Sequence, residues 1–340
     1  MEALRLHAWG GELRAEELAE PEPREGELLI EVEACGVGLT VLNCLRGDLG
    51  DDPADLPRVP GHEVVGRVIA AGAGAGRERI GERVAAYFYL FCGSCPRCLA
   101  GTEDLCANHG GYLGVDRDGG YGRRCVLPAR NAIRLPDGID PVLATVVPDA
   151  VATPVHVVRR AEIGPGDRVA VLGAGGGVGI HMVQVARVHG ADVLGLEVDA
   201  RKLAYLADDL GIAAASSADF GSVALPDRWR GRADVVVDLL GRPASLGWAL
   251  AVLGTGGRLV TLTSFKGVDA TVAPRDLVLR QLSILGSRYA TRAELDHAAR
   301  LVASGAVRPV VGRREGWDSV VAIHEDLRAG RLLGRGALVW

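Results

Sequence analysis

Four of the seven cysteines, Cys92, Cys95, Cys98 and Cys106, fall in one short stretch of the chain. Four thiolates at this spacing can fill every position of a tetrahedral Zn²⁺, which leaves none for a substrate and makes the ion structural. Disulfides are the rival in an oxidising compartment. An iron–sulfur cluster is the other, but its final spacing is usually about three residues, and seven separate Cys98 from Cys106. The reading is one structural zinc per chain, in a lobe over about residues 92–106.

A second cluster could hold a phosphate. Gly173-Ala174-Gly175-Gly176-Gly177-Val178-Gly179 follows an apolar run, Val169-Ala170-Val171-Leu172, and precedes the helix-compatible segment Ile180 to His189. In the order strand, glycine turn, helix, the glycines let the backbone approach a pyrophosphate, and the N–H groups and dipole of the helix start stabilise its charge. Gly175, Gly176, Gly177, Val178 and Gly179 are therefore candidate dinucleotide contacts. Glu197, ending the next apolar run, is placed to accept both ribose hydroxyls and to repel a 2′-phosphate. Lys202 is one of only two lysines, with Lys266, in an arginine-biased chain, and it could reach the same ribose. Both residues favour NAD(H) over NADP(H). The plainer alternative is a tight glycine turn beside a solvated Glu197.

The elements that must position these groups differ along the chain. Residues 1 to about 90 hold short apolar runs, such as Leu28–Val32 and Val64–Ile69, between Gly, Pro and Asp punctuation, the pattern of a β-rich domain. After about residue 163 the rhythm becomes strand and helix in alternation, with strands at Val169–Leu172, Val193–Leu196, Val235–Leu239 and Arg258–Leu262. That is a doubly wound parallel sheet. From about 288 a helix, Ala293–Ser304, and a terminal strand, Gly336–Trp340, follow, and the strand could rejoin the first domain. The expected division is 1–150, 151–287 and 288–340.

A formal net charge of -5 over 340 residues offers no broad basic face to nucleic acid. The first residues carry no basic-then-apolar leader, and no run of about 18 apolar residues occurs. The expectation is a cytoplasmic protein with a small-molecule substrate and neither nucleic-acid nor membrane partner.

Pro60-Gly61-His62-Glu63, the cysteine lobe and Asp149 ahead of the glycine turn together resemble the zinc-containing medium-chain dehydrogenase/reductase (alcohol dehydrogenase-like) family, over nearly the whole chain. The resemblance implies an α/β protein, with a GroES-like catalytic domain completed by the C-terminal segment around a Rossmann NAD-binding domain, and substrate in the cleft between them. It implies a homodimer or homotetramer, NAD contacts from Gly177, Val178, Glu197, Lys202 and Arg335, the last through the pyrophosphate, and a catalytic zinc. In the family that zinc is held by a Cys, the His of Gly-His-Glu and a later Cys, Asp or Glu. Here His62, Glu63 and Asp149 remain, but the family's Gly-Val-Cys-x-Thr-Asp reads Gly36-Val37-Gly38-Leu39-Thr40-Val41. Gly38 has no donor to offer. Thr40 stands where the family passes a proton to substrate, and Asn43 where many members carry a relay histidine.

Three readings follow. In the first, His62, Asp149 and a replacement ligand, with Glu63 or Cys35 available, hold a catalytic zinc for an alcohol or carbonyl substrate, and Thr40 handles the proton. In the second there is no catalytic zinc, and hydride goes to an enone or quinone whose own conjugated carbonyl takes the charge. In the third the chain is a non-catalytic NAD(H) sensor. Asp149 has a lesser role open to it as a helix cap, and Cys35 as a small buried apolar residue. Cys44 is a weaker ligand candidate, and Cys125 has no feature to recommend it. Tyr87, Phe88, Tyr89 and Phe91 are either a substrate wall or ordinary core.

Overall fold

The computed structural model describes residues 1–263, 265 and 267–340; Lys266 lies outside them. The chain divides into two compact units, Met1–Ala152 with Ala290–Trp340, and Thr153–Tyr289. The boundaries expected at 150 and 287 fall two residues short of these.

The first unit is built on antiparallel strands. β1 (Glu2–Leu6) and β2 (Leu13–Glu17) form a separate ribbon, and β3 (Glu27–Val37), β4 (Glu63–Ala71), β5 (Arg83–Ala86), β6 (Arg124–Pro128) and β7 (Ala132–Arg134) belong to a larger sheet. The C-terminal segment returns to that sheet with β14 (Val311–Gly316) and β15 (Arg335–Val339), giving the order β14-β15-β3-β4-β5-β7, with β6 also paired to β3. Val64, Val65, Val68 and Ile69 suit β4 because branched side chains pack well on a pleated surface. Two register shifts in β3, at Leu29/Ile30 and Val32/Ala34, bend it as bulges do. Its far end is then fixed on both sides: Gly36 lies opposite Glu63, and Gly336 opposite Val37. One step further in the same register, Arg335 meets Gly38.

The second unit is a six-stranded parallel sheet of β8 (Arg168–Leu172), β9 (Asp192–Glu197), β10 (Ala213–Ser216), β11 (Ala233–Asp238), β12 (Leu253–Thr261) and β13 (Ser283–Gly286). Its order, β10-β9-β8-β11-β12-β13, is the 3-2-1-4-5-6 arrangement of dinucleotide-binding sheets, whose direction of growth reverses beside the first strand. Leu172, Leu194, Leu196, Val236, Leu259, Trp229 and Trp248 are core residues. Trp229 is fully buried and meets its polar need by donating from Nε1 to Asp192 Oδ2 at 2.6 Å, as a buried indole must. A helical run, Pro141–Arg160, has the length and hydropathy of a membrane span, but 78% of it is buried within the protein, as befits a core helix.

Candidate functional site

The cysteine lobe belongs to the first unit. Cys92 Sγ lies 3.8 Å from Cys98 Sγ and 3.6 Å from Cys106 Sγ, and Cys95 Sγ lies 3.5 Å from Cys98 Sγ and 3.9 Å from Cys106 Sγ. A tetrahedron with Zn–S bonds of about 2.3 Å has edges of about 3.8 Å, so the four thiols fit one zinc ion. The N–H groups of Ser94 and Cys95 point at Cys92 Sγ, at 3.4 and 3.3 Å. These bonds, Ser94's first, lower the Cys92 thiol to about 6. That favours the thiolate a metal requires.

In the second unit, β8 ends at Leu172 and the helix Gly179–Val188 begins after the glycine turn. A Cβ at Gly179 would lie 2.1 Å from Gly173 O, and one at Gly175 would lie 2.6 Å from Lys202 Cβ and 2.8 Å from Glu197 Oε2. Only glycine fits at either position. The Glu197 carboxylate, at the end of β9, accepts hydrogen bonds from Gly175 N (3.0 Å) and Val198 N (2.8 Å). Lys202 sits on the first turn of the helix Ala200–Ala204, capped by Asp199, with its stem against Gly175. The residues present therefore fit a dinucleotide: a turn too tight for side chains and, next to it, an oriented carboxylate with further lone pairs to accept hydroxyls. Gly176, Gly177 and Val178 complete the same turn.

The remaining candidates gather in the first unit. His62 directly precedes β4 and Glu63 begins it, while Asp149 lies in a wide helical turn, Val147–Val151. Val151 N reaches back five residues to Val146 O at 2.9 Å; Pro148 has no N–H to sustain the ordinary ladder, and such widened turns are frequent at functional sites. His62 Nε2 is 3.9 Å from Glu63 Oε1 and 3.8 Å from Asp149 Oδ2. Asp149 is bonded within the cluster rather than capping a helix.

Arg335 has acidic partners that the sequence reading did not name. The residue is 5% exposed, Nη2 lies 2.5 Å from Glu63 Oε1, and the same atom is in close contact with Asp149 Oδ2. Two absent side chains make this arrangement fit. A Cβ at Gly38 would sit 2.0 Å from Arg335 Nη1 and 2.6 Å from Cζ, and a Cβ at Gly36 would sit 2.0 Å from Glu63 Oε2. Burial raises the Glu63 carboxyl to about 8, with Arg335 opposing and Asp149 reinforcing. For Asp149, burial also pushes upward, but the Arg335 charge, and after it the neighbouring His62, outweigh it and hold the carboxyl well below its ordinary range. Burial opposes the Arg335 charge, and Glu63 and Asp149 more than restore it. Within the cluster, Arg335 and Asp149 thus form the ion pair and Glu63 is the group that holds a proton near neutrality.

His62, Glu63 and Asp149 place one donor atom each within 4.8 Å of the others, close enough for a cation. One cation is already there, however, since Arg335 Nη2 bridges both carboxylates. A zinc ion held by these three residues would have to share both carboxylates with the guanidinium, and Gly38 supplies no thiolate to add to them. Cys35 does not repair the set: it is fully buried, its Sγ donates weakly to Gly36 O at 3.6 Å, and burial, then the nearby Glu63, push its thiol well up. Cys44 donates to Gly114 O at 3.3 Å and Cys125 lies buried on β6. Thr40 lies half-buried on the first turn of the helix Leu39–Arg46. Asn43 Oδ1 accepts from Arg46 at 2.6 Å.

The aromatic run divides. Phe88 tilts against the His62 ring, 4.6 Å between centroids. Tyr87 is fully buried and donates to Ala290 O at 2.8 Å; Phe91 packs edge-on to Tyr87 and Tyr89 against Tyr112. Behind Gly61, where a Cβ would meet Tyr121 Cδ1 at 2.5 Å, Tyr121 Oη shares a 2.8 Å hydrogen bond with His324 Nε2. Burial, with Arg328 adding to it, lowers His324 to about 4. The unfolded ring takes up its proton near pH 6.5 and the folded one only near 4, so stability is lost as pH falls through that window, by on the order of 3 kcal/mol. His324→Gln should flatten the fall in melting temperature between pH 6.5 and 4 relative to wild type; parallel curves would show that His324 is not buried as a neutral ring.

Residues 24–137 match the alcohol dehydrogenase GroES-like domain, and residues 177–304 match the zinc-binding dehydrogenase domain. An alcohol dehydrogenase of Geobacillus stearothermophilus is 32% identical over 340 residues, 98% of each chain. The chain belongs to the zinc-type medium-chain dehydrogenases/reductases. It is therefore an oxidoreductase. Members similar to it differ in what their names say they do: an acryloyl-coenzyme A reductase of Metallosphaera sedula is 29% identical over 97% of this chain and 96% of its own length. A cobalt- and zinc-bound alcohol dehydrogenase of Pyrobaculum aerophilum superposes with a TM-score of 0.88, at 30% identity over 100% of this chain and 99% of that one.

What the sequence reading missed in this oxidoreductase is the pairing of Arg335 with the two acids. The glycine pair flanking Val37 was the available signal, because a ligand lost from a buried polar cluster leaves both space and uncompensated acids that some other group must meet.

Proposed function

We propose that this chain is a nicotinamide-dependent reductase of C=C bonds conjugated to a carbonyl, preferring NAD(H) to NADP(H) and working without a catalytic zinc. The observation that carries this reading is the Arg335 guanidinium, lodged between Glu63 and Asp149 in space that Gly38 leaves open. Alcohol–carbonyl interconversion concentrates charge on one oxygen, where a Lewis acid gives the most help. Conjugate reduction spreads that charge over an enolate, for which hydrogen-bond donors and a fixed cation suffice. Similarity to the acryloyl-coenzyme A reductase supports the same reading.

A nicotinamide dinucleotide, when bound, supplies or accepts the hydride. Glu197 orients its ribose from the end of β9 and disfavours a 2′-phosphate by like charge. His62 Nε2, which has no hydrogen-bond partner among the described residues, meets the substrate oxygen, and the Thr40 hydroxyl delivers the proton. A second reading, alcohol or carbonyl chemistry with a metal on His62, Glu63 and Asp149, is favoured by that same unpartnered nitrogen and by the three donors within 4.8 Å.

Zinc content with a substrate panel separates the two. About one zinc per chain, with turnover of enones that survives chelation and none of simple alcohols, is the expected result; about two, with chelator-sensitive alcohol oxidation, replaces the first reading by the second. For the cofactor, Glu197→Ala should shift the NADPH/NADH ratio of kcat/KM towards NADPH by about 10- to 100-fold, roughly 1.4–2.8 kcal/mol. An unchanged ratio removes Glu197 from cofactor choice.

A further inference from the structure

We propose that Gly38 and Arg335 act as one device that excludes divalent metal from the His62–Glu63–Asp149 cluster, with the guanidinium as its built-in, permanently charged replacement. The inference rests on the zinc-free reading and adds the residues responsible for it.

Two independent features of the fold lead to this pairing. The first is register. β15 runs antiparallel to β3 with Gly336 opposite Val37 and Ala337 opposite Gly36, so Arg335 is delivered to the place where a side chain at position 38 would begin. The second is charge. Nη2 alone contacts both Glu63 Oε1 and Asp149 Oδ2, and the acids that would have to hold a metal are the ones that hold the guanidinium. The guanidinium therefore competes with a metal for both acids.

Arginine suits this duty. It keeps its charge at any pH the protein meets, and its planar fork presents several donors without the strict ligand geometry of a metal. Lysine would bring a compact, strongly hydrated charge whose proton is readily lost on burial. The exclusion also depends on position 38 remaining glycine. Any Cβ there would lie 2.0 Å from Nη1, so a side chain at 38 expels the guanidinium and reopens the space between the acids. Phe88, 4.6 Å from the His62 ring, holds that imidazole beside the same space, so an emptied cluster retains three donors around a vacated centre.

The test is metal uptake by full-length protein with its cysteine lobe filled with zinc, comparing wild type, Arg335→Gln and Gly38→Cys after dialysis against excess Co²⁺. Wild type is expected to hold one metal per chain. Arg335→Gln, which keeps the shape and removes the charge, should hold two, and its visible spectrum should gain the d–d bands of low-symmetry Co²⁺. Gly38→Cys should also hold two, with an added thiolate-to-cobalt charge-transfer band. If Arg335→Gln fails to fold, Gly38→Cys remains decisive because every charge of the cluster is retained in it. Folded variants that stay at one metal per chain beside a one-metal wild type overturn the device and leave the zinc-free reading standing. A wild type holding two metals overturns that reading itself.

Discussion

Arg335→Ala is expected to cost the unit formed by residues 1–152 and 290–340 about 3–5 kcal/mol of stability, the usual penalty for stripping one partner from a buried ion pair. The intact pair need not stabilise the fold by that amount. The loss arises because Asp149, held ionised by the guanidinium, is left in low dielectric with its counter-charge gone. In a unit of this size the melting temperature should fall by roughly 10 °C. Thermal unfolding in the presence of chelator, so that no ion can take the vacated place, is the measurement. A fall of only a degree or two would mean that water or another group satisfies the acids, and the cluster would then be far less dry than the 5% exposure of Arg335 suggests.

The larger effect is predicted at the lobe. Cys95→Ser should abolish zinc binding by the four-cysteine lobe and release residues 92–106 from their folded conformation. Apolar burial cannot hold this segment: Leu99 and Leu105 are 75% and 48% exposed. Its order comes from short helical turns, from N–H groups aimed at sulfur, and from two ties to the rest of the unit, Arg130 to Cys92 O and Arg292 N to the Glu103 carboxylate. Structural zinc sites supply apparent binding energies of about 10–16 kcal/mol in small peptides, more than such turns could offer unaided. Trypsin reports the change directly, because Arg97 is exposed at the centre of the lobe. Cleavage after Arg97 should rise by at least about tenfold, as expected when a local opening loses about 1.4 kcal/mol or more of protection. Resistance equal to wild type would show that the lobe is held by contacts other than the metal.

Legibility of the sequence differed between the two units. The glycine turn could be read because each requirement is local: an apolar strand, glycines where side chains would collide, and an acid at the end of the next strand. The observed clashes at Gly175 and Gly179 are the physical content of that pattern. Strands rich in branched residues were visible for the same reason. β10, with sequence AAAS, was not, since alanine has little β preference and the strand owes its existence to pairing with β9. β13 (SILG) is equally short, and β12 begins at Leu253, five residues before its branched core, through a glycine-rich start.

The cysteine lobe could be read because its ligands lie close in the chain. The acid cluster could be read only in part. His62 and Glu63 are adjacent, but Arg335 is 186 residues from Asp149, and only the antiparallel register of β15 on β3 reveals that it faces Gly38. No local pattern carries a pairing of that range. A long-range resemblance supplied the residue, and the fold supplied its acidic partners.

The discontinuity of the first unit bears on its order of assembly. A ribosome makes both acids of the cluster long before it makes their counter-ion, and the contiguous segment Thr153–Tyr289 is finished in between. That parallel sheet has every strand it needs at this stage, whereas β3 still awaits β15 as a neighbour. Until Arg335 emerges, the nascent cluster has no cation of its own, and its carboxyls stay hydrated or protonated rather than buried as charges.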